Sequence, residues 1–405
     1  MEIMSSTLID SSLPKELENI DWSFPNLSNT GLHSFHWYPA TYVAAIPGTI
    51  ISKVTECGDI VLDPFCGSGT TGVEAIRLNR RFIGIDTNPV AILISEAKIK
   101  YPEINSLLTE LDNIINKTDP LNALAEVVRE HPNKDELLSW YHPKTMEELN
   151  YILTLILNIK DRLIQRSFLA VFSSILKNCS SQGKHWGWVC DNVKPKPDEI
   201  IYKDANLIFI NSVKAFIDAS NFTFNECKYH NHEITREAIR SKSQLLNGSC
   251  IDYLQEMSSE SIDAIVTSPP YYGVADYVKS QRLSYLWFDI DELTEDKLGF
   301  RDFKALRSTE MGARANRYKT TSHSQYIEFM DKFFIESYRL IKPSGYMCLV
   351  IGESSSRTGT IDKLIEIAIL RGFVLVAQTN RNIKSNRRRL MAKVRTEDIL
   401  FFSKK

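Results

Sequence analysis

The chain lacks the features that mark membrane, secreted and metal-scaffold proteins. No apolar stretch reaches the roughly 20 residues that a bilayer-spanning helix needs; Tyr151–Ile159 and Phe168–Leu176, the longest, are interrupted well before that. Met1–Ser12 carries acidic residues and no basic segment ahead of an apolar core, which argues against a secretory leader and for a cytoplasmic location. The seven cysteines are scattered from Cys57 to Cys348, an odd number without a compact framework, so reduced thiols are expected. Only Cys227, His230 and His232 lie close together, one ligand short of the usual four, and no metal is expected. Excess charge is lacking too. Lys and Arg total 48 against 50 Asp and Glu, a net of -2, so any nucleic-acid binding must come from local patches. There is no internal repeat and no long low-complexity tract.

What is present is an ordinary globular balance, 43% hydrophobic and 24% charged over 405 residues, long enough for one large domain with insertions or for two or three smaller ones. Residues 1–29 read as an N-terminal extension. From residue 30 to 101 the chain reads helix, strand, glycine loop, helix, strand: Gly58–Leu62 is a short buried strand, Thr70–Leu78 a helix, and Arg81–Ile85 the next strand. A second helix starts near Pro89, a favoured first-turn residue. From 102 to 241 the alternation stops, and the Leu/Ile spacing in Leu149–Leu163 and Phe168–Leu176 predicts amphipathic helices, a mainly helical insertion. Its loop His185-Trp186-Gly187-Trp188, followed by Lys194-Pro195-Lys196-Pro197, suits either a packed structural insertion or a target-recognition region. Strand and helix alternate again from 242 to 405, through Ser261–Thr267, Tyr346–Ile351 and Phe373–Ala377, and the chain ends on two strands joined by a long hairpin. The expected fold is α/β, a doubly wound Rossmann-like sheet closed by an antiparallel pair, with 30–101 and 242–405 forming one domain.

Two loops carry chemistry. Asp63-Pro64-Phe65-Cys66-Gly67-Ser68-Gly69-Thr70-Thr71 places glycines where a buried strand passes into a helix, a turn that lets a ligand approach the backbone closely. It lacks the Gly-Lys-Ser/Thr ending that holds nucleotide phosphates, so a P-loop is a poor reading. Asp86, at the end of the following strand, is placed to take both hydroxyls of a ribose. Adenosine without a pyrophosphate fits that arrangement. The second loop, Thr267-Ser268-Pro269-Pro270-Tyr271-Tyr272, is rigid, polar and aromatic-ended, and follows a buried strand at the carboxyl edge, where such sheets bind substrate.

Together these segments resemble the amino-group (N4-cytosine/N6-adenine) DNA methyltransferases, whose cofactor loop and Ser-Pro-Pro-Tyr catalytic loop they match. The resemblance implies S-adenosylmethionine as cofactor. It places Phe65, Cys66, Gly67 and Gly69 around the methionine part, with Asp63 and Ser68 as further cofactor contacts, Thr70 or Thr71 as the helix cap, and Asp86 on the ribose. Upstream, Phe35-His36-Trp37-Tyr38-Pro39-Ala40 is similar to the family's further cofactor segment, with His36, Tyr38 and Pro39 as contacts. Ser249 stands where relatives commonly carry an aspartate that meets the adenine, with Cys250 beside it as a further cofactor contact and Asp252 as the alternative acid. The segment order, cofactor loop before catalytic loop, is a permutation that some family members use, and the long insertion between the ribose acid and Ser249 leaves the subclass unassigned.

An exocyclic amine is a poor nucleophile because its lone pair is delocalised into the ring, so the site needs acceptors. Ser268 Oγ and the Pro269 carbonyl can accept its two N–H groups, Pro269 and Pro270 fix the loop, and Tyr271 can stack on a base extruded from the duplex. Serine in the first position goes, in this family, mostly with cytosine N4, and aspartate or asparagine mostly with adenine N6. The expected activity is therefore N4-cytosine methylation of double-stranded DNA, with N6-adenine methylation as the alternative and a separately encoded restriction endonuclease as a companion. A cytosine C5 enzyme would need a nucleophilic Pro-Cys pair, which is missing. An RNA methyltransferase, a protein methyltransferase and a silent nucleic-acid-binding regulator stay open as rivals.

For DNA contact, Arg381–Lys405 holds nine basic residues (Arg381, Lys384, Arg387, Arg388, Arg389, Lys393, Arg395, Lys404, Lys405) against Glu397 and Asp398, and reads as an exposed phosphate-binding hairpin or a solvated face. The polar loop Met311–Lys319, with Arg314 and Arg317, is a second candidate.

Overall fold

The structure is a computed structural model describing residues 17, 20–39, 41–118, 130–182, 194–288, 303–316, 318–353, 358–383 and 396–404, with the backbone alone at 303–305. The strands are β1 (Ile60–Asp63), β2 (Arg81–Asp86), β3 (Ser243–Asn247), β4 (Ile262–Thr267), β5 (Ile341–Gly352), β6 (Phe373–Asn382) and β7 (Thr396–Lys404). Among the described residues they form one seven-stranded sheet in the order β3-β2-β1-β4-β5-β7-β6. Neighbours are parallel except β7, which runs antiparallel to both β5 and β6. The expected Rossmann-like sheet with an antiparallel closure is therefore the observed fold. Strand order reverses at β1 and β4, which pair Val61 with Ala264 and Leu62 with Ile265. Both chemistry-bearing loops leave the carboxyl ends of these two neighbouring strands, the crevice where open α/β sheets bind ligands.

Helices α1 (Ala45–Val54), α2 (Thr70–Arg77) and α3 (Pro89–Ile99) flank the first strands. The Asn88 side chain starts α3 by accepting from the N–H groups of Val90 (3.0 Å) and Ala91 (3.2 Å), with Pro89 in the first turn. This helix is apolar on nearly every side, and all its residues but Glu96 are buried. A helix of that kind needs cover on its outer face as well. The insertion supplies it through α4 (Ile104–Thr118), α5 (Lys134–Leu138), α6 (Pro143–Leu157), α7 (Arg162–Cys179), α8 (Ala205–His230) and α9 (Arg236–Ser241). Helix α7 packs on α3, and α8 packs on α7 and α2.

The periodicity over Leu149–Leu163 spans a break, because α6 ends at Leu157 and α7 begins at Arg162. The Asp161 carboxylate accepts from the N–H groups of Leu163 and Ile164, and this local capping decides the boundary. Phe168, Phe172, Phe209 and Phe216 of the helical layer share one apolar core with Val61, Val73 and Ile94 of the sheet side. The N-terminal segment is held on the same layer: Leu32 N–H donates to Thr223 Oγ1 of α8 at 3.0 Å, and the rings of Phe35 and Phe216 lie 4.7 Å apart. The Trp186–Trp188 loop lies outside the described residues.

The remaining helices are α10 (Cys250–Glu256), α11 (Arg282–Phe288), α12 (Phe303–Thr309), α13 (Ser322–Leu340) and α14 (Thr360–Leu370). In the terminal pair the structure corrects the basic-hairpin expectation at two positions. Arg381 is buried and paired with Glu397, and Lys404 is buried with its Nζ on the Ile341 carbonyl (2.8 Å) and Glu260 (3.3 Å). Their charges are consumed inside the fold. Lys384, Arg387, Arg388, Arg389, Lys393, Arg395 and Lys405 lie outside the described residues, as does Arg317 of the second candidate loop.

Because helical layer and sheet share a core, Phe168→Ala is expected to lower the unfolding free energy by about 3–5 kcal/mol while leaving one cooperative transition. Calorimetry showing the two layers melting separately would contradict that coupling.

Candidate active site

The carboxyl ends of β1 and β4 are joined by one carboxylate. Asp63 is buried at the last position of β1; its Oδ1 accepts from Thr267 Oγ1 (2.5 Å), the last residue of β4, and from Phe65 N–H (3.1 Å). Its Oδ2 accepts from Thr71 Oγ1 in the first turn of α2 (2.5 Å). Tyr42 OH in turn meets Thr71 Oγ1. Burial pushes the Asp63 carboxyl up to about 6 against the pull of these donors. The expected helix cap is corrected here. Gly69, at φ +80, is the N-cap of α2 and has no side chain to cap with, while Thr71 serves Asp63 instead.

Below these ends opens a cleft of about 1530 Å3. Pro64, Phe65, Cys66, Gly67, Ser68 and Thr70 line it from the first loop, Tyr38, Pro39, Thr41 and Tyr42 from the N-terminal segment, and Gly248, Ser249, Cys250 and Tyr253 from the turn after β3. Gly67 (φ +48) and Gly69 (φ +80) take the left-handed conformation that the tight turn requires. A Cβ at Gly69 would also stand 2.9 Å from Ser95 Oγ, which itself donates to the Gly67 carbonyl at 2.8 Å.

Asp86 lies on the cleft wall, its Oδ2 accepting from Gly67 N–H and its Oδ1 from Asn88 N–H, each at 2.8 Å. Burial raises this carboxyl to about 6, opposed by those two N–H groups. An ionised carboxylate has about four acceptor positions, so both oxygens keep capacity for ribose hydroxyls. Asn88 also donates to Tyr38 OH (3.3 Å) and accepts from Tyr285 OH of α11 (2.6 Å), tying three distant segments to the cleft.

Not every expected contact reaches this wall. His36 is buried beside it in the helical layer, its Nδ1 on the Trp37 carbonyl (2.7 Å) and its Nε2 on Ser173 Oγ (3.1 Å). Burial, followed by the charge of Lys98, lowers its pKa to about 3, so the ring is neutral and already partnered. Asp252 is exposed and turned away on α10, whereas Ser249 and Cys250 line the cleft. Asp63, Gly69 and Thr71 stand behind the wall as supports.

From the second loop Ser268, Pro270 and Tyr271 line the same cleft, and Pro269 is buried behind them. Tyr326 OH of α13 donates to the Pro270 carbonyl at 3.0 Å and holds the loop down. Ser268 Oγ donates to Tyr271 OH (3.2 Å), which donates to Glu397 Oε1 (3.0 Å).

Several wall residues carried no sequence signal. Glu310 lines the cleft with its Oε1 on Val278 N–H (2.7 Å), and burial pushes its carboxyl up to about 7. Tyr277, Arg162 and Arg166 also reach the wall, the last paired with Glu96. Single residues in the middle of irregular or helical stretches have no periodicity that would mark them. Of the DNA-contact candidates, Arg314 is half-buried in the segment after α12 whose Met311, Gly312 and Asn316 border the cleft.

The DNA methylase family of the N6/N4 class matches residues 10–97 and 262–405, more than half of the chain and both of the loops above. The chain belongs to this N6/N4 DNA methylase family. The unmatched stretch between the two blocks holds the helical insertion. Among relatives, the Type II methyltransferase M.MjaII of Methanocaldococcus jannaschii is 21% identical over 84% of this chain and 76% of its own length. M.MvaI of Kocuria varians, also a Type II methyltransferase, is 23% identical over 84% and 80%. M.BsoBI of Geobacillus stearothermophilus, of the same type, is 22% identical over 76% of this chain, which spans 62% of that relative. As a member of this family the methylase acts on DNA and takes its methyl group from S-adenosylmethionine. No helix among the described residues is long and apolar enough to cross a membrane.

The Asp63 and Asp86 carboxyls stand above the usual 3.8, so their ionisation opposes folding: the penalty is absent below about 4 and complete above about 6. An ionised Asp86 offers more acceptor positions to the hydroxyls of a ligand than a protonated one, so ligand affinity is expected to run the other way. By titration calorimetry, binding of S-adenosylmethionine is expected to weaken about tenfold from pH 8 to pH 5, and Asp86→Asn to bind weakly without that step. A step that survives in Asp86→Asn would assign the titration to Asp63 or to Glu310.

Proposed function

We propose that this methylase transfers the methyl group to N4 of cytosine in duplex DNA, with Ser268 as the acceptor that activates the amine. The observation that carries this reading is the convergence of Ser268 and Asp86 on one cleft from neighbouring parts of the sheet. The glycine loop, Asp86 and Ser249–Cys250 fit an adenosine with a short amino-acid tail, with Asp86 on the ribose and Phe65, Cys66, Gly67 and Ser68 around the tail. When bound there, S-adenosylmethionine supplies an electrophilic methyl on a positively charged sulfur.

Ser268 Oγ accepts one N–H of the target amine and the Pro269 carbonyl the other. Holding both hydrogens pulls the nitrogen towards tetrahedral geometry and frees its lone pair. Pro269, Pro270 and the Tyr326 bond to Pro270 keep the acceptors preorganised, so little reorganisation is needed at reaction. The base must leave the helix stack to reach the cleft, and the Tyr271 ring on the cleft wall offers it an aromatic face. Phosphate contacts are assigned to Arg314, in the segment that borders the cleft, and by their positive charge to Arg317, Lys384, Arg387, Arg388 and Arg389. A cytoplasmic location and a separately encoded restriction endonuclease of matching specificity complete the reading.

Nucleoside mass spectrometry of mixed-sequence duplex DNA, incubated with protein and S-adenosylmethionine, is expected to give N4-methylcytosine. N6-methyladenine would reassign the base and keep the site. Ser268→Ala should lose at least about 100-fold in kcat with cofactor affinity unchanged; turnover equal to wild type at saturating cofactor would remove Ser268 from the mechanism.

A further inference from the structure

Arg381 and Glu397 make an ion pair, each only 3% exposed, with Arg381 Nε and Nη2 at 2.7 and 2.5 Å from Glu397 Oε2. They face each other across the β6–β7 ladder, where Arg381 is the register partner of Glu397. Desolvating two charges offsets most of their attraction, so such a pair adds little stability over apolar residues of like size. Its second oxygen, however, faces the catalytic loop. Glu397 Oε1 accepts from Tyr271 OH at 3.0 Å, and Tyr271 OH accepts from Ser268 Oγ at 3.2 Å.

We infer that the Arg381–Glu397 pair fixes the hydrogen-bond polarity of Ser268, making Glu397 a positioning residue that keeps the serine an acceptor towards the target amine. The direction follows from what each group can do. A carboxylate held by a guanidinium has no proton to give, so Tyr271 must donate to it. With its only hydrogen committed, the tyrosine oxygen can receive, and Ser268 gives its hydroxyl hydrogen there. What Ser268 then presents to the cleft is lone pairs alone. Without that chain the hydroxyl rotates freely and can donate to the target nitrogen or its ring neighbour, occupying the electrons that must form the new bond. The inference rests on Ser268 acting on an exocyclic amine, as proposed above. It moves no proton of its own and requires no further reactant.

The test is a cycle of near-isosteric variants, Glu397→Gln, Tyr271→Phe and the double variant. In Glu397→Gln the guanidinium retains the amide oxygen, so the amide N–H turns to Tyr271 and the chain reverses. Turnover is expected to fall on the order of 100-fold, with affinities for S-adenosylmethionine and DNA within about twofold of wild type. Tyr271→Phe leaves the ion pair in place and should also lower kcat, which keeps the test open should the glutamine variant fold poorly. In the Tyr271→Phe background, Glu397→Gln should have no further effect on kcat, because its only route to Ser268 is gone. Wild-type turnover in Glu397→Gln would overturn the inference. So would losses that multiply in the double variant, or that follow cofactor affinity rather than kcat. If the wild-type protein methylates no exocyclic amine, the reading of Ser268 fails first and this inference falls with it, an outcome distinct from an active wild type beside unaffected variants.

Discussion

The Asp63 carboxylate holds the site together. One side chain receives hydrogen bonds from the end of β4, from its own loop and from the first turn of α2. It therefore fixes the spacing between the glycine loop after β1 and the Ser-Pro-Pro-Tyr loop after β4. Hydrogen bonds to a charged group are worth about 1.5–3 kcal/mol each, and here they oppose a desolvation cost large enough to raise the pKa to about 6. A buried carboxylate this fully satisfied leaves little freedom in the relative position of the two loops, which is the freedom that a transfer between two bound molecules can least tolerate.

Around that knot, elements far apart in the chain each supply one wall. The helical insertion covers the outer face of α3 and holds the N-terminal segment on α8, so that Tyr38 and Thr41 come to the mouth of the cleft. The antiparallel β6–β7 pair reaches the site from the other side, through Glu397 and Tyr271. Asn88 ties Tyr38 of the N-terminal segment to Tyr285 of α11, while its side-chain carbonyl caps α3. The cleft is built from stretches that lie far apart in the sequence.

Much of this was legible in advance, for a physical reason. A buried strand followed by glycines and a helix start is a local pattern, and both loops lie at such junctions, so Phe65–Ser68, Asp86, Ser268 and Tyr271 could be named from the chain alone. Readings that required knowing what lay opposite a side chain failed. His36 sits in a segment that borders the cleft, but its ring turns towards Ser173. Thr71 looked like a cap and serves Asp63, and Arg381 looked like a phosphate ligand and is locked to Glu397. The break between α6 and α7 was hidden because apolar spacing continues across it, while Asp161 sets the new start.

The sequence by itself determined the strand-loop-helix units, the two chemical loops and the class of reaction, because each depends on residues within a few positions of one another. Only the tertiary structure decided that β1 and β4 are neighbours, that the insertion shares the core of the sheet, and that the terminal strand pair brings a buried ion pair to the Ser-Pro-Pro-Tyr loop. Pairing across the sheet and burial of charge depend on which surfaces meet when the chain collapses, and a one-dimensional pattern carries the periodicity of a face without naming its partner.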